Sequence, residues 1–195
     1  TRGLWLYGLL QSDGQRPLIH YAARENEAVV VLQEYAGLHG LRITCDANEE
    51  VTDTSEVTAI LIQGVEAEIT RCRIENSQSD GIELSAGTSA TISQIQLKTI
   101  AGEGVVANTS SSVWLQNSRI IKTDGSGIWL MGTTHVELEN NVIYDSGWHG
   151  IDAQNCATIM VDNCSIIEFG NDGVEQQAGL NITDGRTIVV VNNLI

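Results

Sequence analysis

The chain has 195 residues, with 25 Asp and Glu against 10 Lys and Arg, a formal net charge of −15. Such an acidic surface argues against nucleic acid and anionic membranes as partners, and it makes a bare polyanion an awkward ligand unless a cation bridges. No run of 18 apolar residues is present, so no membrane-inserted helix is expected. No signal peptide is visible from Thr1 onward.

Taken from the N-terminus, residues 1–28 read as an atypical first coil, with Leu4, Leu6 and the lone Pro17. Val29, Val31, Leu38 and Ile43 then match Ile60, Ile62, Ile69 and Ile74 at a constant offset of 31. The surplus length is assigned to the acidic stretch 46–56, read as a protruding loop. Long insertions of this kind often lie on a binding face.

From residue 81 the pattern tightens. Gly81, Gly104, Gly127, Gly150 and Gly173 fall 23 residues apart, each followed by Ile or Val. Two residues beyond these apolar positions stand Leu84, Ala107, Leu130, Ala153 and Gln176. That spacing is strand alternation, one face in and one face out. Further apolar columns repeat at the same period: Ala90, Val113, Val136 and Ile159; Ile92, Leu115, Leu138 and Val161; Leu97, Ile120, Ile143 and Ile166. Asn117, Asn140 and Asn163 form a polar column, which Asn192 joins once a six-residue insertion is allowed. Stacked Asn residues tolerate left-handed backbone and hydrogen-bond between coils. The glycine column marks a turn that needs positive φ or close packing, not a phosphate cradle.

Short strands separated by turns, with no room for a crossover helix, predict an all-β solenoid whose coils bury one continuous core. Seven or eight coils at roughly 4.8 Å per rung make a single-domain rod about 35 Å long. The segments around Asp80-Gly81-Ile82-Glu83-Leu84 and Val136 to Ile143, with their 23-residue copies, resemble the right-handed parallel β-helix family, the pectin-lyase-like superfamily. The resemblance covers residues 29–195. It implies a single-stranded right-handed parallel β-helix, an extracellular or cell-surface setting, and polysaccharide as the ligand class. The Asn-Thr-Asp, Asp-Asp, Gly-His-Gly and Arg-Ile-Lys motifs of polygalacturonases are absent; Gly147-Trp148-His149-Gly150 only echoes the third. Neither the Arg base with clustered Asp of pectate lyases nor the Asp-Pro-His of alginate epimerases occurs, so no catalytic residue is carried over.

Candidate site residues come from the alternation. Between inward Ile82-type and Leu84-type residues lies an outward row: Glu83, Val106, Trp129, Asp152 and Glu175. A second row precedes the glycines: Asp80, Glu103, Ser126, His149 and Asp172. By the 23-residue count, His149, Asp152, Asp172 and Glu175 form a two-by-two patch beside Trp129, with Trp148 one position away. Carboxylates on adjacent rungs would start near 4.8 Å apart. Their repulsion would raise one pKa and suit acid–base chemistry on a glycosidic bond, at the short spacing of a retaining pair. A flat Trp beside acidic groups suits a sugar ring. Calcium is the one cofactor with a conceivable site here, but four ligands fall short of its usual six to eight. A solvated face is the plain alternative for carboxylates in so acidic a chain.

Three functional classes follow: a polysaccharide lyase, hydrolase or epimerase; a non-catalytic glycan-binding module; and a structural or assembly segment of a larger surface or tailspike-like protein. Open coil ends would suit an oligomeric contact. Arg71, Arg73, Lys98, Arg119 and Lys122 gather on another side, as an anion face or as compensation for acidic surface. An ice-binding face is excluded by the lack of a regular outward Thr ladder. Four cysteines without Cys-x-x-Cys spacing read as buried thiols, with a Cys156–Cys164 bridge left open by spacing alone.

Overall fold

A computed structural model describes residues 4–9, 15–20, 28–44, 57–170 and 177–195. The described residues form three parallel sheets of eight, seven and seven strands. The chain visits the sheets in turn. The first sheet runs from Trp5–Tyr7 to Thr187–Val191, the second from Leu18–His20 to Ser165–Phe169, and the third from Val30–Leu32 to Leu180–Thr183. Seven full coils therefore stack, and an eighth begins. This is the expected right-handed parallel β-helix.

Alternation places the core. Ile82, Leu84, Val105, Ala107, Ile128, Leu130, Ile151 and Ala153 are completely buried along the third sheet, as are Ile92, Val113, Leu115, Val136, Leu138, Ile159 and Val161 along the first. Burying each Ile or Leu stabilises the coil by roughly 1.5–3 kcal/mol. The glycine column is explained by close packing, since none of Gly81, Gly104, Gly127 and Gly150 has positive φ. A Cβ on Gly127 would lie 2.4 Å from Ile143 Cγ2 and 2.7 Å from the Gly150 carbonyl oxygen.

The Asn column does need the left-handed region. Asn117, Asn140, Asn163 and Asn192 have φ between 51° and 55°, and Arg71 and Gln94 adopt the same conformation in the coils before them. The Asn163 side-chain amide donates to Asn140 Oδ1 on the preceding rung. A second left-handed column lies within the second sheet, at Asn76, Thr99, Lys122, Asp145 and Glu168. These residues drop out of the ladder, where Lys98 pairs Ile121 and the next pair is Ile100 with Thr123. The skipped residue acts as a bulge that bends each strand.

Just after the Asn turn, polar side chains enter the core. Ser118 Oγ accepts from the Ile95 N–H at 3.2 Å, Asn141 Oδ1 from the Ser118 N–H at 3.0 Å, and Asn193 Oδ1 from the Cys164 N–H at 2.7 Å. Asn141 Nδ2 also donates to the Leu115 carbonyl at 2.8 Å. Each of these N–H groups is thus satisfied by a side chain on the following rung. Cys72, Cys156 and Cys164 are buried and free, so Cys156 and Cys164 are not bridged.

Two registers differ from the periodic reading. Gly150 is followed in the ladder by Gly179, because Ile151 pairs Leu180, and Thr158 pairs Thr187. The six extra residues therefore enter after Phe169 and before the third sheet. They displace Gly173 from the glycine column, and residues 171–176 lie outside the described residues. Upstream, Val30 pairs Ile60 and Leu32 pairs Ile62, an offset of 30, while Leu38 pairs Ile69 at 31. Leu32 is buried and Val31 exposed, so Val31 is not an inward residue, whereas Val29 packs against the core just before the strand. Three residues connect Leu32 to Ala36 where four connect Ile62 to Ala67, and a slip of one residue reverses every side chain. The acidic stretch 46–56 lies outside the described residues.

Candidate functional site

The outer face of the third sheet carries the column Val31, Leu61, Glu83, Val106, Trp129, Asp152 and Asn181, fixed by pairing between successive strands. The position next to Asp152, expected for Glu175, thus belongs to Asn181. Asp172 and Glu175 lie outside the described residues, and the two-by-two carboxylate patch is not formed along this ladder. The reason is the insertion after Phe169, which interrupts the count.

Asp152 points outward yet is only 2 % exposed. Its Oδ1 accepts from Asn181 Nδ2 at 2.8 Å and its Oδ2 from Gln154 Nε2 at 3.0 Å. The carboxylate therefore fixes two amide side chains, one on its own strand and one on the next rung. Trp129, half-buried, stands between Val106 and Asp152 in the same column.

His149 occupies the corner column with Asp80, Glu103 and Ser126, as the backbone bonds between successive coils show. Its Nδ1 accepts the Ala178 N–H at 2.9 Å, which leaves Nε2 as the protonated nitrogen of the neutral ring. Asp80 bridges to the following coil in the same way, its Oδ1 accepting from the Glu103 N–H at 2.9 Å. Both side chains tie one coil to the next. Trp148, exposed at this corner, meets the His149 ring edge-on with centroids 5.8 Å apart.

Glu83 stands three rungs before Asp152, about 14 Å at the rung spacing, too far for a shared proton or a concerted pair. It accepts from Asn108 Nδ2 at 3.3 Å. Burial, and then the nearby Asp80 carboxylate, push its carboxyl pKa up against the lowering effect of that hydrogen bond. Among the described residues, no three His, Cys, Asp or Glu side chains gather to hold a metal ion, and the suggested calcium set needs the undescribed Asp172 and Glu175.

The structure also assembles a cluster that the sequence reading passed over. On the first sheet's outer face, the Trp114 and His135 rings lie 5.4 Å apart, and His135 Nε2 is 2.7 Å from Glu137 Oε1. The signal was present: Trp114 sits between inward Val113 and Leu115, and one period later Glu137 holds the same place. A depression of about 270 Å³ on this sheet is lined by Trp5, Tyr35, Glu66 and Glu68, among others, and does not reach Trp129 or Asp152.

Residues 37–195 match the family model described as the right handed beta helix region. No curated protein and no solved structure matches the chain.

Proposed function

Because the chain belongs to the right-handed β-helix family, we propose that it is a glycan-interacting β-helix that offers the outer face of its third sheet to a carbohydrate chain. The observation that carries this reading is the half-buried indole of Trp129 beside a carboxylate whose two oxygens hold the amides of Gln154 and Asn181. An aromatic face stacks on a sugar ring, and fixed side-chain amides discriminate hydroxyls at little cost in entropy. Asp152 is a positioning residue in this arrangement, since it is nearly inaccessible itself. Chain topology supports the same face. The connections from the second to the third sheet run from His20 to Val30, Thr44 to Ile60 and Phe169 to Leu180, against four residues at the same corner in the regular coils. Extra length in a solenoid tends to wall a binding face.

The arrangement favours binding over turnover. Asp152 has both oxygens occupied, His149 Nδ1 is used in the backbone ladder, and no second carboxylate stands beside Asp152 among the described residues. A lyase, hydrolase or epimerase would have to draw its second acid from Asp172 or Glu175. The deciding experiment pairs retention of the protein on neutral and uronate polysaccharides with a depolymerisation assay, with and without calcium. Retention without turnover, lost in Trp129→Ala, is expected. Turnover that disappears in Asp152→Asn/Glu175→Gln would make the protein an enzyme. Full retention by Trp129→Ala would remove this face from consideration.

A further inference from the structure

Among the described strands, the basic charges of this chain are confined to one sheet. All five Lys and Arg residues within described strands (Arg42, Arg73, Lys98, Arg119 and Lys122) belong to the second sheet. Arg71 stands in the turn that enters it. The first sheet's strands contain Glu68, Glu137, Glu139 and Asp162 and no Lys or Arg. Across the four coils from Arg42 to Lys122, the second sheet's strands bear a single carboxylate, Glu75. It is buried between Arg42 Nε at 2.8 Å and an Arg73 terminal nitrogen at 2.6 Å. Lys98, Arg119 and Lys122 are exposed. Among the described residues of a protein of net charge −15, the second sheet is therefore cationic over these four coils, and its acids Asp145 and Glu168 come only in the two coils beyond.

We propose that this cationic face docks the acidic first-sheet face of a second copy of the chain, side by side. The two faces are complementary in charge. Both are parallel sheets with the same rung spacing, so a row of side chains on one can meet a row on the other over several rungs. The contact joins unlike surfaces and does not close on itself, so further copies can add. Four rungs of one sheet are less than a permanent interface occupies. The association is accordingly weak and reversible, each exposed ion pair contributing about 1.5- to 5-fold to the association constant. It differs from end-to-end stacking of coils, and it does not depend on glycan binding.

The net charge gives this contact a distinctive salt dependence. In dilute salt, about 0.01 M, the Debye length is near 30 Å and whole molecules repel; near 0.1 M it falls to about 10 Å, which suppresses that repulsion while touching pairs persist. Near 1 M the pairs themselves are screened. Association therefore passes through a maximum at intermediate ionic strength. Sedimentation velocity over a concentration series up to about 0.3 mM, at these three salt levels, reads it directly.

Two charge reversals on outward positions, Lys98→Glu/Arg119→Glu and Glu139→Lys/Asp162→Lys, test the faces, with melting curves to confirm folding. Each variant alone is expected to stay monomeric near 0.1 M salt, and an equimolar mixture to associate again. A monomer at every salt concentration would overturn the proposal. So would association that only grows with salt, the signature of apolar ends, or a mixture that fails to restore what the single variants lose.

Discussion

Replacing Asn141 by Leu probes the interior polar ladder at its best-defined rung. Asn141 is 1 % exposed, and its amide serves two backbone groups, the Ser118 N–H at 3.0 Å and the Leu115 carbonyl at 2.8 Å. An aliphatic chain fits this column, as Ile95 shows two coils earlier, so the substitution tests hydrogen bonding more than shape. Stranding one buried donor and one buried acceptor costs about 1–3 kcal/mol each, and Leu recovers about 1 kcal/mol of this through apolar burial, leaving a loss of about 1–5 kcal/mol. For a chain of this size that lowers the melting midpoint by roughly 2–20 °C. Circular dichroism on purified wild type and variant measures it. Asn141→Ser provides the internal control: Ser118 shows that a hydroxyl can accept from the preceding rung, so about half the loss should return. A midpoint for Asn141→Leu within about 2 °C of wild type would refute the reasoning, because two unpaired buried backbone groups cannot be that cheap.

Thr99 is β-branched and held at φ 58°, a region that costs such residues energy. Thr99→Asn, matching Asn76 in the same column, should raise the melting midpoint by about 1–4 °C, and a fall would show that the Thr side chain is needed there. The Glu83 carboxyl is raised above its ordinary value, so the fold holds its proton more tightly than the unfolded chain does. Stability from this group is full below the unfolded carboxylate range near 4.3 and is lost as pH rises through the folded value. Glu83→Gln should therefore melt higher than wild type at pH 7, with the gap closing near pH 4; an equal gap at both pH values would count against this assignment. Burial pushes the Cys72 and Cys164 thiols up, so a Cys45→Ser variant should show no thiol reactive towards a disulfide reagent until it unfolds. Rapid native labelling would contradict the buried assignment.

The strands were legible because the inward residues are nearly all aliphatic and recur every 23 residues from Ile82 to Ile166. The bulge column was not, since Thr99, Lys122 and Glu168 carry no turn chemistry and tertiary pairing alone holds them left-handed. Of the inner polar column, spacing alone shows only that Cys72 and Cys164 share a place four coils apart. Its members Cys72, Ile95, Ser118, Asn141, Cys164 and Asn193 share a place and not a chemistry. At the site, Trp129 and Asp152 were found through strict alternation. Glu175 was placed beside Asp152 only because the count was carried across an insertion that the glycine at position 173 disguised. The same insertion was legible one sheet later, where Asn192 matches Asn163 at an offset of 29.

The corner that leads into the third sheet has a consequence for how this rod can acquire new properties. In three of the four regular coils it is closed by a pair of glycines, and in the first by Gly81 alone: a Cβ on Gly147 would fall 2.1 Å from the Asp124 carbonyl oxygen, and one on Gly104 2.4 Å from that of Gly127. Those coils have no room for a reactive side chain at their glycine positions. Beyond the few positions between those glycines, such as Asp80, Glu103 and His149, new side chains enter this edge by lengthening it, as after Thr44 and after Phe169. The frame and the variable parts are therefore separable, and exchanging one long connection for another should alter what the molecule touches while its coils stay in register.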